Sequence, residues 1–137
     1  MSFKGFRIGF LLMVLCAVVR AQNTNEDWVG IWHANAGGQP TSMLTLATDT
    51  GALGGTLVLD MICCEGETPH VIASEPHVLL NPAVAGNMLT FQVKMRRPDG
   101  ANVTANFEVK RTAADKATIH CVNCGAEAPV VELVKGL

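Results

Sequence analysis

Residues 88–110 read MLTFQVKMRRPDGANVTANFEVK, and this stretch decides the fold. In residues 88–95, and again in residues 103–109, apolar and polar side chains alternate along the chain. Alternation with a period of two is typical of a strand that buries one face. Between the two segments, Arg97-Pro98-Asp99-Gly100 supplies turn residues, with proline at the first central position. The stretch therefore predicts an antiparallel hairpin.

The same pattern continues on both sides of this hairpin. A second hairpin is predicted from residues 42–48 to residues 53–62, through the turn Asp49-Thr50-Gly51. Further strands are predicted at residues 28–34, 71–80, 116–122 and 129–134, with a loop at residues 81–87 and no helix after the N-terminal segment. Closing sequential strands into a barrel hides both their apolar faces and their free edges. The sequence predicts an all-β fold, an antiparallel up-and-down barrel of about eight strands, with a β-sandwich as the alternative.

The first 21 residues have a different character from the rest. Lys4 and Arg7 precede an uncharged apolar run over residues 8–19. That run is long enough for the core of a signal peptide and too short to cross a bilayer about 30 Å thick. Small or modest side chains precede Gln22, so cleavage is predicted there. Residues 1–21 are then a signal peptide, and residues 22–137 form a single domain.

Loss of this segment would change the charge of the chain. It holds three of the ten basic residues and none of the twelve acidic ones, so the formal net charge moves from -2 to -5. An acidic domain has no nucleic-acid footprint. Cys16 follows Leu15 rather than a small residue, so lipid attachment at Cys16 is not predicted. We expect a secreted or periplasmic protein with no membrane span in the mature chain.

Four cysteines remain after Gln22, namely Cys63, Cys64, Cys121 and Cys124. Export favours their oxidation, and four cysteines allow three complete pairings, among which the sequence does not choose. In a meander, the ends of the third and seventh strands reach the same rim, so one or two disulfides are predicted to tie the loops that follow them. The alternative is a metal or redox site in which His120 joins Cys121 and Cys124.

Two short motifs carry a resemblance to a known group of proteins. Gly30-Ile31-Trp32 and, further on, residues 51–57 (GALGGTL) resemble the opening of the avidin and lipocalin group of barrels. In that group the tryptophan closes one end of the barrel. The resemblance implies a small binding barrel, and it implies that a basic residue from a late strand lies over the tryptophan. Lys135 is the candidate in this chain.

The biotin-binding residues of the avidin pattern are not retained. Ala34, Gly38 and Leu57 stand where that pattern has asparagine, serine and tyrosine. Only two tryptophans and no tyrosine are present, whereas the avidin pocket is walled by several tryptophans. The resemblance therefore implies a fold and a binding role, without biotin as the ligand.

The predicted function follows from the barrel and from the lack of a catalytic motif. No Gly-x-Ser-x-Gly or equivalent nucleophile context is present, so we predict a protein that is not an enzyme and uses no cofactor. We expect an exported binding module that takes a small apolar ligand in the barrel or an exported protein on its rim loops. The expected ligand-binding wall is Trp32, Leu57, Leu59, Phe91, Val93 and Phe107. The alternatives are the metal or redox protein and a purely structural domain held by disulfides.

Overall fold

The structure is a computed structural model that describes residues 24–36, 39–63, 70–97 and 99–136. This part of the chain forms one short helix, α1 (Thr24–Trp28), and nine strands. The strands are β1 (Gly30–Ala36), β2 (Gln39–Asp49), β3 (Ala52–Cys63), β4 (His70–Val78), β5 (Leu80–Ala85), β6 (Met88–Arg96), β7 (Asn102–Ala113), β8 (Lys116–Cys121) and β9 (Val130–Gly136). The predicted signal peptide, with Cys16, and also Cys64 lie outside the described residues.

All nine strands belong to one sheet, in the order β4-β3-β2-β1-β9-β8-β7-β6-β5. Every neighbouring pair is antiparallel, which confirms the all-β fold and both predicted hairpins. A single sheet replaces the two sheets that the sandwich alternative required. The sheet is not closed into a barrel, because β4 and β5 occupy its two edges. The predicted closure is therefore wrong, while the nine described strands are close to the predicted number of about eight.

The sheet fails to close at the segment for which the sequence predicts a strand at residues 71–80 and a loop at residues 81–87. This segment instead forms two strands, β4 paired with β3 and β5 paired with β6, with Leu79 between them. Pro76 in β4 and Pro82 in β5 have no amide hydrogen to donate, and proline is confined to edge strands and bulges for that reason. Asn81 has a positive φ of 51°, and the register with β6 shifts between Leu80 and Ala83. The chain therefore changes partner here and cannot pair on both sides.

The two edges nevertheless lie close together, at a seam formed by His77 and Leu79. The Nδ1 atom of His77 lies 3.0 Å from the carbonyl oxygen of Lys94 in β6, and the His77 ring is buried. The amide of Leu79 donates a hydrogen bond of 3.0 Å to the carbonyl oxygen of Gly55 in β3. The His77 contact holds β4 against β6 in the opposite half of the sheet, and the Leu79 contact ties the connection between β4 and β5 to β3. The open sheet therefore curls around a single interior.

One contiguous apolar core fills this interior. Its buried members are Trp28, Trp32, Ala34, Leu44, Leu46, Leu53, Leu57, Leu79, Leu89, Phe91, Val93, Ala105, Phe107, Val109, Ala117, Ile119, Cys121 and Leu133. In β6 and β7 they occupy alternate positions, as the pattern of residues 88–110 predicted. Phe91 and Phe107 are register partners, and their rings stack with centroids 5.4 Å apart.

The end of the sheet next to α1 is sealed by two tryptophans. Trp28 ends the helix instead of beginning a strand, which corrects the prediction of a strand from residue 28. The indole Nε1 of Trp32 donates a hydrogen bond of 3.0 Å to the carbonyl oxygen of Trp28, and the two ring centroids are 5.7 Å apart. Both indoles are almost completely buried. We call this the closed end.

Lys135, the candidate basic residue of the late strand, covers the closed end. Its Nζ atom lies 5.4 Å from the centroid of the Trp32 ring and donates a hydrogen bond of 3.2 Å to the carbonyl oxygen of Asp27. A side chain at Gly30 would meet Lys135, since an added Cβ would lie 2.7 Å from its Cε atom. The glycine of the Gly30-Ile31-Trp32 motif therefore leaves room for the lysine that lies over the tryptophan.

No helix among the described residues is long and apolar enough to span a membrane. The only helix there, α1, has five residues.

Two adjacent glycines in β3 allow a test of the close approach between β3 and β2. An added Cβ at Gly55 would collide with the carbonyl oxygen of Thr45 in β2, whereas an added Cβ at Gly54 would meet nothing within 4 Å. We expect Gly55→Ala to lower the free energy of unfolding by about 3 kcal/mol, because backbone would have to move. Gly54→Ala is the matched control and should be neutral or stabilise by about 0.5 kcal/mol. Denaturant unfolding measures both, and equal effects would contradict the close approach.

Candidate functional site

The end of the sheet opposite the closed end carries an apolar pocket with a volume of about 660 Å³. It is lined by Ser42, Leu57, Leu59, Phe107, Ile119, Cys121, Cys124, Gly125, Ala126, Glu127, Ala128, Pro129, Val131 and Leu133. We call it the apolar pocket. Its lining comes from two sources, the inner face of the sheet and the segment of residues 124–129 between β8 and β9.

The sheet forms the floor of the pocket with side chains that also belong to the core. Leu57 and Leu59 come from the inner face of β3, and Ile119 comes from β8. Leu133 of β9 and Phe107 of β7 continue the same surface. Because strand residues two apart lie on one face, the alternation that builds the core also supplies this floor. Apart from Ser42 of β2 and Cys121 of β8, the floor is therefore aliphatic and aromatic.

Residues 124–129 form the cover of the pocket, and they are mostly small. The amide of Ala128 donates a hydrogen bond of 3.2 Å to the carbonyl oxygen of Gly125, which folds the segment into a turn. Glu127 brings the only charged side chain of the described lining, and Ser42 brings the only hydroxyl. A mainly apolar cavity with few polar groups is the usual form of a small-molecule site.

The cover is fastened to β8 by the pairing of its Cys124 with Cys121 at the end of that strand. The sulfur atoms of Cys121 and Cys124 lie at bonding distance, with their Cα atoms 5.5 Å apart. This pairing uses both later cysteines within one turn. The predicted bridge from this loop to the loop after β3 is therefore corrected, because neither cysteine is left to form it. Cys63 ends β3, and Cys64 lies outside the described residues.

The side chain of Asn123 holds the same turn against β7. Its Oδ1 atom accepts a hydrogen bond of 2.7 Å from the amide of Asn106, and its Nδ2 atom donates one of 2.9 Å to the carbonyl oxygen of Thr104. The amide of Val122 donates a further bond of 2.8 Å to the carbonyl oxygen of Asn106. The side-chain amide of Asn123 thus takes the place of a backbone peptide group beyond the end of β8. It continues the hydrogen bonding of β8 along β7.

Three of the six predicted wall residues line the apolar pocket, namely Leu57, Leu59 and Phe107. Trp32 lies instead at the closed end, and Phe91 and Val93 are packed inside the core. Sequence reasoning missed the cover, Ile119 and the β9 side chains. The small, nearly uncharged run Gly125-Ala126-Glu127-Ala128-Pro129 was available as a sign of an apolar loop.

The alternative metal site does not assemble around Cys121. His120 and Cys121 are consecutive in β8, where buried and less buried positions alternate, so their side chains point to opposite faces of the sheet. Cys121 is also paired with Cys124. Within the residues that the structure describes, no group of three or more histidine, cysteine, aspartate or glutamate side chains could hold a metal ion.

Comparisons with protein-family models, curated proteins and solved structures each found no match to the chain. The resemblance to the avidin and lipocalin group therefore stays a prediction from the sequence motifs. What the fold and the site themselves define is a curled antiparallel sheet with one sealed end and an apolar pocket at the other.

The cysteine pairing can be tested by peptide mapping without reduction. Trypsin should release residues 117–135, which contain Cys121 and Cys124, as one peptide lighter by two hydrogen atoms than its reduced form. Iodoacetamide should label this peptide only after reduction, which serves as the control. A covalent link between this peptide and the one that ends at Lys94, which contains Cys63 and Cys64, would contradict the pairing described here.

The role of Asn123 can be tested by denaturant unfolding. We expect Asn123→Ala to lower the free energy of unfolding by about 1–2 kcal/mol, because the partners of two hydrogen bonds lose their contacts at a partly solvated site. Asn102→Ala removes an exposed asparagine from the first position of β7 and should change the value by less than about 0.5 kcal/mol. Similar small effects for the two variants would show that Asn123 does not hold the turn.

Proposed function

We propose that this protein is an exported, non-catalytic binding module that takes a small apolar ligand in the apolar pocket. The observation that carries the proposal is the pocket itself. Its volume of about 660 Å³ falls within the usual range for ligand sites of about 300–1,000 Å³. The proposed export rests on the first 21 residues of the sequence, which have the organisation of a signal peptide.

The lining favours an apolar ligand over a polar one. Ser42 and Glu127 are the only polar side chains among the fourteen described lining residues, apart from the paired cysteines. A ligand that buries about 400 Å² of apolar surface would gain roughly 10 kcal/mol by transfer from water. Association costs at least about 4 kcal/mol, so dissociation constants of tens of micromolar or weaker are expected.

The lining also supports a binding role over a catalytic one. The described lining residues include no histidine, lysine or arginine that could act as a base toward Ser42. Nucleophilic catalysis by a serine requires a base within hydrogen-bonding reach. Glu127 belongs to the cover, and its side chain is exposed to water. Such a pocket holds a ligand in place without the groups that would transform it.

Fluorescence of N-phenyl-1-naphthylamine, an uncharged apolar dye, tests the proposal on protein purified after expression of the full chain. We expect saturable binding with a one-to-one stoichiometry. Ala126→Trp and Ala128→Trp add a large side chain to the cover, so each should weaken dye binding at least about tenfold by filling the pocket.

Ala114→Trp is the matched control, because Ala114 is exposed in the turn between β7 and β8, at the closed end. This variant should bind the dye as the unchanged protein does. Absence of saturable binding, or equal binding by all three tryptophan variants, would refute the ligand site. Binding of a protein partner at the same end of the sheet would then be the better-supported function.

A further inference from the structure

A second groove lies beside the apolar pocket, and its charged side chains are basic. Its volume is about 630 Å³. It is lined by Met95, Arg96, Arg97, Val103, Thr104, Ala105, Asn123 and Cys124. We call it the arginine groove. It lies at the hairpin between β6 and β7, at the same end of the sheet as the apolar pocket.

The two cavities share a wall. Cys124 lines both of them, so the turn that covers the apolar pocket also borders the arginine groove. The two floors are adjacent, because Ala105 lines the groove and Phe107 lines the pocket. Both side chains lie on the buried face of β7, two residues apart, and this spacing corresponds to about 7 Å along a strand. A molecule of modest length can therefore reach from one cavity into the other.

The charges in the groove favour an anion. Both charged lining residues, Arg96 and Arg97, are cationic. The Arg97 guanidinium lies 3.5 Å from a carboxylate oxygen of Asp99, and both side chains are more than half exposed, so this ion pair is weak. Lys94, two residues from Arg96 and likewise exposed, does not line the groove; it lines a neighbouring cavity together with Arg96 and Glu75. The groove itself thus carries two cations on a chain whose net charge is negative.

The negative charge of Glu127 disfavours the binding of an anion in the apolar pocket itself. Its carboxylate is the only charge of the described pocket lining, so it would repel a carboxylate or phosphate lodged under the cover. An anionic head group is therefore better placed in the groove, where planar guanidinium groups can donate paired hydrogen bonds to oxyanions. The apolar part of such a molecule is better placed over Leu57 and Phe107.

We propose that the apolar pocket and the arginine groove form one site for an amphiphile with an apolar chain and an oxyanion head group. The chain occupies the apolar pocket, and the head group binds Arg96 and Arg97 across Cys124. This inference rests on the proposed function, because the chain needs the pocket. It adds the class of ligand, which the pocket alone does not specify.

Three ten-carbon compounds test the head-group specificity, namely decanoate, decan-1-ol and decylammonium, each in competition with N-phenyl-1-naphthylamine. Decanoate should compete at least about tenfold better than decan-1-ol at low salt, since only the carboxylate can accept charge-assisted hydrogen bonds from the two guanidinium groups. This advantage should shrink as the salt concentration rises. Decylammonium should compete no better than decan-1-ol.

The double variant Arg96→Gln, Arg97→Gln should bind decanoate as weakly as decan-1-ol, with dye and decan-1-ol binding unchanged. The matched control is Lys110→Gln, Lys116→Gln, which removes two exposed cations located near the closed end. This control should keep the preference for decanoate. It separates the effect of the groove from the effect of net charge.

The outcomes separate the two proposals. If the dye and decan-1-ol bind but decanoate shows no advantage, or keeps it in the arginine variant, the oxyanion site is overturned and the apolar pocket stands. A preference for decylammonium would overturn it as well and would assign the head group to Glu127. If the dye and all three compounds fail to bind, both proposals fail.

Discussion

The pairing of β1 with β9 is the constraint on which the rest of the structure depends. Elsewhere in the sheet, hydrogen-bonded neighbours follow one another along the chain, so among the described strands this is the only ladder that joins the run β1–β4 to the run β5–β9. Trp32 and Lys135 are register partners in this pair, and the lysine lies over the indole. A cross-strand contact of this kind contributes about 0.5–1 kcal/mol. More importantly, it fixes the register that brings the two halves of the inner face together around one core.

The strands with a clear period of two could be predicted from the sequence, and the change of partner near Leu79 could not be predicted from period alone. Residues 88–110 show both the alternation and the turn, and the structure pairs them as expected. Pro76 and Pro82 carried the missing information, because a strand that contains proline belongs at an edge. The helix at Trp28 was hidden for another reason. The helix has one large apolar residue, Trp28. A single position shows no period, so this residue fits the start of a strand and the end of a one-turn helix equally well.

The floor of the pocket was half predicted, and its cover was not. Leu57, Leu59 and Phe107 follow from strand alternation, because an inward residue of a curled sheet belongs either to the core or to a cavity above it. Alternation cannot tell these two cases apart, so Phe91 was assigned to the wall although it packs in the core. The cover depends on long-range contacts of Asn123 and on the Cys121–Cys124 pair, and neither has a periodic pattern. The local sequence therefore predicts the strands well and the positions of the loops poorly.

The position of the last strand in the middle of the sheet has a kinetic consequence. One side of β1 bonds to β2, its immediate successor, while its other side bonds to β9, where Ile31 is paired with Gly136. Contacts between residues so distant in sequence slow folding, because a long loop must close, at a cost in entropy, before these contacts can stabilise the structure. Until β9 is available, β1 presents an unpaired edge and Trp32 lacks its lysine. The ladder that joins the two runs of strands can therefore form only after the chain has been made through Gly136.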